Sequence, residues 1–210
     1  MNCKEKVAQA LLTTEAVRLN VGTPFTFVSG IKSPIYCDNR KVIGFVHERE
    51  IIINEFIKKI EKMEDSGRGF DVIAGTSTAG IPWAAYISDK LKKPMAYIRG
   101  EKKAHGTGKQ IEGADFNGKN ILIIEDLIST GGSSIKAVDV AKENGAKDIF
   151  VLAIFSYEFE KAYTSFKNAE TEWTSLSNFP SLLEVAKENS YITEEELNIA
   201  KKWNLDPSKY

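Results

Sequence analysis

The sequence predicts an α/β chain built on a mainly parallel, doubly wound sheet flanked by helices. Strands alternate with helices between residues 70 and 156, the pattern that crossover connections impose. Residues 121–124 (Ile-Leu-Ile-Ile) form the short apolar run of a strand covered on both faces. Loops rich in small residues, at 76–80 and 129–134, follow two of the strands, where open sheets of this kind bind nucleotides and phosphosugars.

Composition narrows the function classes. A chain of 210 residues makes one domain, or one with a small appendage, and can bury a proper core. Its 42% hydrophobic and 27% charged residues are those of a soluble globular protein. A formal net charge of −1 supplies no global positive field to recruit nucleic acid. Cys3 and Cys37 alone suggest neither a disulfide framework nor a zinc site, and point to a reducing cytoplasm. The start, Met-Asn-Cys-Lys-Glu-Lys, lacks the apolar core of a signal peptide, and no apolar run approaches membrane-spanning length. Neither nucleic acid nor membrane is therefore expected as a partner.

Val7, Leu11, Leu12 and the later Ala16, Val17 and Leu19 are spaced for an amphipathic helix ending near Gly22. Phe25 and Phe27, then Ile35 and Cys37, alternate with other residues, and Ser29-Gly30 and Ser33-Pro34 punctuate them. That pattern predicts two short strands joined by a turn carrying Lys32, although a lysine at a hairpin tip is usually just solvated. A long helix follows with Ile51, Ile52, Phe56 and Ile60 on its buried stripe; His47 begins it and matches no motif. Residues 70–75 predict a buried strand, and Pro82 suits the first turn of a helix through Trp83, Ala84 and Ile87. A strand at 94–99 leads into residues 100–113, rich in lysine and glycine with few apolar anchors, which predicts mobility. Residues 148–156 read as the last strand of the core sheet. Beyond it come a helix near 160–167, a strand near 171–176 and two helices, the last opened by a Thr193/Glu196 capping box.

The chemistry concentrates in residues 120–134. Glu125 and Asp126 sit where the apolar strand should end, and Ser133 or Ser134 can cap the next helix. Backbone N–H groups of residues 129–133 and the positive helix end would hold a phosphate. The carboxylates could accept hydrogen bonds from sugar hydroxyls, or contact a metal through water. Neither a Walker loop nor the Gly-x-Gly-x-x-Gly fingerprint is present. Solvated acids on an ordinary strand–turn–helix would explain a lone acidic pair; the whole pattern favours a phosphate cradle.

This stretch resembles the phosphoribosyl pyrophosphate signature of type I phosphoribosyltransferases: an apolar strand, two acids and a Thr/Ser-Gly-rich loop. Ser29-Gly30-x-Lys32-Ser33-Pro34-x-Tyr36-x-Asp38-x-Arg40 is similar to the N-terminal signature of the orotate-using branch of that family. Arg99, Lys103 and His105-Gly106 match its catalytic loop, with Gly100 where many relatives carry a further cation. Ala79 stands where some members place a lysine, and Tyr157-Glu158 where several have Asp-Arg.

The resemblance implies a type I phosphoribosyltransferase fold in a single domain over 1–210: a hairpin hood at about 22–45, a core at about 68–157 and a C-terminal helical appendage at about 158–210. It implies transfer of the 5-phosphoribosyl group from phosphoribosyl pyrophosphate to N1 of orotate, giving orotidine 5′-monophosphate and pyrophosphate in pyrimidine biosynthesis. Under it Lys103, Glu125 and Asp126 are catalytic. Phosphoribosyl pyrophosphate falls to Arg99, Lys103, His105, Glu125, Asp126, Leu127, Ile128, Ser129, Thr130, Gly131, Gly132 and Ser133, and orotate to Ser129 and Lys32. Mg²⁺ is implied as cofactor, held mainly by the substrate and not by protein ligands. A homodimer is also implied, with residues 99–113 acting in trans. The alternatives are a purine or uracil transferase, which the Ser-Gly-x-Lys-Ser-Pro hairpin argues against, and a non-catalytic phosphoribosyl-pyrophosphate sensor. The charge balance and short appendages argue against the sensor.

Overall fold

The computed structural model describes residues 1–26, 32–101 and 109–207. Helix α1 (Cys3–Thr13) opens on a capping box in which Asn2 Oδ1 accepts from the Glu5 N–H and Glu5 Oε2 from the Asn2 N–H. The sequence predicts a helix to about Gly22, but it stops at Thr13. Glu15 turns the chain with φ at +51°, and Val17–Leu19 form strand β1. Strands β2 (Phe25–Thr26) and β3 (Lys32–Ser33) pair antiparallel, and β4 (Ile35–Cys37) pairs antiparallel with β1. Residues 24–43 therefore hold three short strands, not two, and Lys32 lies in β3 instead of at a turn. A 3-10 turn, Asn39–Gly44, leads into α2 (Val46–Asp65), which buries Ile52, Ile53, Phe56 and Ile60 and leaves Ile51 half-buried at the edge of the stripe.

The central unit follows: β5 (Val72–Thr76), α3 (Gly80–Leu91), β6 (Met95–Ile98), β7 (Ile111–Gly113), β8 (Asn120–Ile128), α4 (Gly132–Glu143), β9 (Asp148–Ser156), α5 (Glu160–Asn168) and β10 (Glu172–Asn178). The six strands form one sheet in the order β10-β9-β8-β5-β6-β7. Its pairs are parallel except β6 with β7. Two sequence expectations change here. Residues 111–113 are an edge strand and not loop, because Ile111 and Gly113 fall into register with Ile98 and Ala96. The sheet also does not end at residue 156, since β10 pairs along β9 and so belongs to the sheet and not to an appendage. Helices α6 (Phe179–Glu188) and α7 (Glu194–Leu205) complete the chain, and the Thr193/Glu196 capping box opens α7 as expected.

Alternation along β8 divides the core. Leu122 and Ile124 pack with residues of α1, α2, α3 and α6, whereas Ile121 and Ile123 pack with those of α4 and α5. Both faces are covered, which is why this strand reads as an unbroken apolar run. Among the described residues no helix is long and apolar enough to cross a membrane.

Candidate active site

Strand β8 continues past the acidic pair to Ile128, so Glu125 and Asp126 lie within it, near its carboxyl end. Glu125 is only 4% exposed. Its Oε1 accepts from Thr76 Oγ1 at 2.6 Å and from the Asp126 N–H at 3.2 Å. Its Oε2 accepts from Ser134 Oγ at 3.0 Å and Ser133 Oγ at 3.5 Å. Burial pushes the Glu125 carboxyl up to about 7; the Thr76 and Ser134 hydroxyls pull it down, and the neighbouring Asp126 charge adds to the rise. Asp126 is half-buried and is also raised by burial, against hydrogen bonds and the Arg40 charge that lower it.

The serines of α4 do not cap it. Gly131 is the N-cap, with φ at +83°, and no side chain accepts from the first-turn N–H groups. A Cβ on Gly131 would meet Phe166 Cε2 at 3.2 Å, so only glycine suits both the dihedral and the space. Ser133 and Ser134 thus serve Glu125, and the first-turn N–H groups stay available to an anion. Leu127 and Ile128 close β8, and Ser129 and Thr130, both half-buried, connect it to Gly131, with Gly132 opening the helix.

Beside this turn lies a cavity of about 270 Å³ lined by Thr76, Ser77, Arg99, Gln110, Ser133 and Lys136, among others. It places Arg99 near the start of α4 of its own chain, whereas the resemblance implies that Arg99 serves the partner's site. Arg99 Nη1 lies 3.7 Å from Glu112 Oε1. The Arg99 N–H donates to Gln110 O at 2.8 Å, so the two ends of the intervening segment are held together. Lys103 and His105 lie outside the described residues. A larger cavity, about 480 Å³, separates α1 from α2 beside His47 and Glu55 and contains none of the predicted site residues.

The N-terminal strands reach the acids through Asn39. Its Nδ2 donates to the Asp126 carbonyl at 2.6 Å, and Cys37 Sγ donates to Asn39 Oδ1 at 3.3 Å. Burial, then the charges of Asp126 and Asp38, hold the Cys37 thiol well above its ordinary range. Arg40 forms a two-pronged pair with Asp38 at 2.6 and 2.9 Å. Lys32 has an exposed side chain, and its carbonyl accepts from Trp203 Nε1 at 3.1 Å. Sequence reasoning missed Thr76, Ser134, Asn39 and Lys136 as site residues. Asn39 stood at an unassigned position of the hood motif, and Thr76 at a strand end beside glycine; both reach the acids through bonds that span many positions of sequence.

A family model described as a phosphoribosyl transferase domain matches residues 43–173. A curated orotate phosphoribosyltransferase of Listeria monocytogenes is 44% identical over 210 residues, covering all of this chain and 99% of that one. One from Staphylococcus saprophyticus is 48% identical over 197 residues, covering 94% and 96%. Among solved structures, Leishmania donovani UMP synthase superposes with a TM-score of 0.79 at 25% identity, over 96% of this chain and 42% of that longer one. With a family model over more than half its length and relatives at 44% and 48% identity over nearly all of it, the chain belongs to the phosphoribosyltransferase family, among the orotate phosphoribosyltransferases.

Proposed function

We propose that the chain transfers the 5-phosphoribosyl group from phosphoribosyl pyrophosphate to N1 of orotate, giving orotidine 5′-monophosphate and pyrophosphate. The observation that carries this reading is the buried Glu125 with Asp126 beside it, next to a helix start whose N–H groups no side chain caps. Breaking the C1–O bond leaves an oxocarbenium-like sugar and places negative charge on the departing pyrophosphate. Glu125 and Asp126 hold the ribose hydroxyls close to the growing positive charge. The N–H groups of residues 129–133 take the 5-phosphate, while Ser129 and Lys32 contact the base. Arg99, Lys103 and His105 gather positive charge at the leaving group.

The residues present suit a Mg²⁺ that arrives on the substrate. Glu125 and Asp126 offer two carboxylates near one strand end, and phosphate and sugar oxygens of the substrate would supply the rest of an Mg²⁺ shell. When bound, the ion would supply charge neutralisation at the pyrophosphate. Two chains share each active site in this proposal, with residues 99–113 of one protomer serving its partner. The cytoplasm is the proposed compartment, in keeping with two unpaired cysteines. The test is loss of orotate absorbance with phosphoribosyl pyrophosphate and Mg²⁺, run against adenine, hypoxanthine, xanthine and uracil. Turnover of orotate alone supports the reading, and preference for any other base overturns it.

A further inference from the structure

We infer that helix α7 tunes base recognition from outside the site, with Trp203 as a positioning residue that holds β3 at Lys32. The inference rests on the proposed contact between Lys32 and orotate. Trp203 is 2% exposed, with its ring among Tyr157, Phe159 and Phe179 at centroid distances of 6.1, 5.6 and 5.6 Å. Its single polar atom donates to the Lys32 carbonyl at 3.1 Å, across 171 positions of sequence. The buried indole N–H of Trp83 goes without a partner, so the bond from Trp203 to β3 is not something ring burial imposes.

The choice of partner matters because the other anchors of β3 lie at its far end, where the buried Ser33 hydroxyl bonds Ile35, and not at Lys32. The strand is two residues long and pairs with the two-residue β2. A ribbon of that size is marginal without further support. Helix α7 is itself tied to the far side of the site. Asn204 Nδ2 donates to the Tyr157 carbonyl at 2.8 Å, and the Tyr157 N–H donates to the carbonyl of Ile128, the last residue of β8, at 3.0 Å. A continuous set of bonds thus runs from the start of the phosphate-binding turn through Tyr157 and α7 to Lys32. The Lys32 ammonium is exposed and forms no ion pair among the described residues, which leaves it available to an anionic base.

The experiment measures KM for each substrate in Trp203→Phe, which keeps a ring and deletes the N–H. Loss of one neutral hydrogen bond predicts a rise of about three- to tenfold in KM for orotate, with KM for phosphoribosyl pyrophosphate within about twofold of the parent. Trp203→Phe should add nothing further in a Lys32→Ala background, because the indole acts through that residue. Equal rises for both substrates, no rise for either, or full additivity with Lys32→Ala overturns the inference. A Lys32→Ala chain with unchanged KM for orotate overturns the lysine contact as well, and the two single variants tell these failures apart. Should Trp203→Phe fold poorly, benzothienylalanine at position 203 removes the same N–H in a ring of the parent's shape, with the same outcomes deciding.

Discussion

Glu125 is a carboxylic acid kept out of water and restrained by hydroxyls, and its titration should be visible in stability. Its pKa in the folded chain, about 7, stands above its ordinary value of 4.5. Between those values the folded chain binds more protons than the unfolded one, so Glu125 makes stability fall as pH rises through that window, and the decline levels off above pH 7. Glu125→Gln removes the titration. Thermal unfolding should show the variant gaining on the parent between pH 5 and pH 8, by up to about 3 kcal/mol at 1.36 kcal/mol per pKa unit. A difference independent of pH would mean that the site does not hold the acid protonated. Activity should depend on the same group in the opposite sense, since only the ionised form places negative charge beside the oxocarbenium-like sugar. The Thr76 hydroxyl favours that ionised form. Thr76→Val should therefore move the acid limb of the kcat/KM profile to higher pH while leaving the alkaline limb in place. An unmoved acid limb would assign that limb to another group.

At the scale of elements, the site depends on how closely α3 approaches β8. A Cβ on Gly80 would stand 2.4 Å from the Ile124 carbonyl and 2.6 Å from Thr76 Oγ1. Gly80→Ala should cost about 1–3 kcal/mol, as overpacking does, and lower the urea midpoint. It should also lower turnover, because the displaced hydroxyl is the one that holds Glu125. An unchanged midpoint would show that α3 can back away freely. This approach was not legible in the sequence, where 76–80 read only as a small-residue loop. What could be read were long or reciprocal signals: the apolar run 121–124, the strand at 148–156 and the Thr193/Glu196 box. Strands of three residues gave too few positions for a period to show. Val17–Leu19 continued the apolar spacing of α1, and Ile111–Gly113 lay at the end of a charged segment. Ser133 and Ser134 were found but given the wrong partner, because a capping hydroxyl and one that binds a carboxylate look alike in sequence. The left-handed backbone at Gly131 decides between them.

At the scale of the molecule, the two halves of the proposed chemistry start from different parts of the sheet. The acidic pair lies on β8, with neighbours on both sides, whereas residues 99–110 leave and rejoin the sheet at the edge pair β6 and β7. The ends of that segment are pinned together by the Arg99–Gln110 bonds at 2.8 and 3.3 Å. In the proposed two-fold dimer each segment completes the partner's site. Lys103→Ala should then lower turnover about a hundredfold or more, as loss of one preorganised charge-stabilising donor does. Its melting temperature should match the parent's. Asp126→Asn should be similarly impaired through the sugar site. Mixing the two chains distinguishes sharing from self-sufficiency. If the segment acts in trans, each heterodimer pairs one intact segment with one intact acidic site. An equimolar exchanged mixture then recovers about a quarter of parental activity, since half of its dimers are hybrid and each has one working site of two. If the segment acts in cis, every site in the mixture lacks one of the two groups. Activity that stays at the level of the separate variants, despite subunit exchange demonstrated by mass or fluorescence, would place the segment over its own chain.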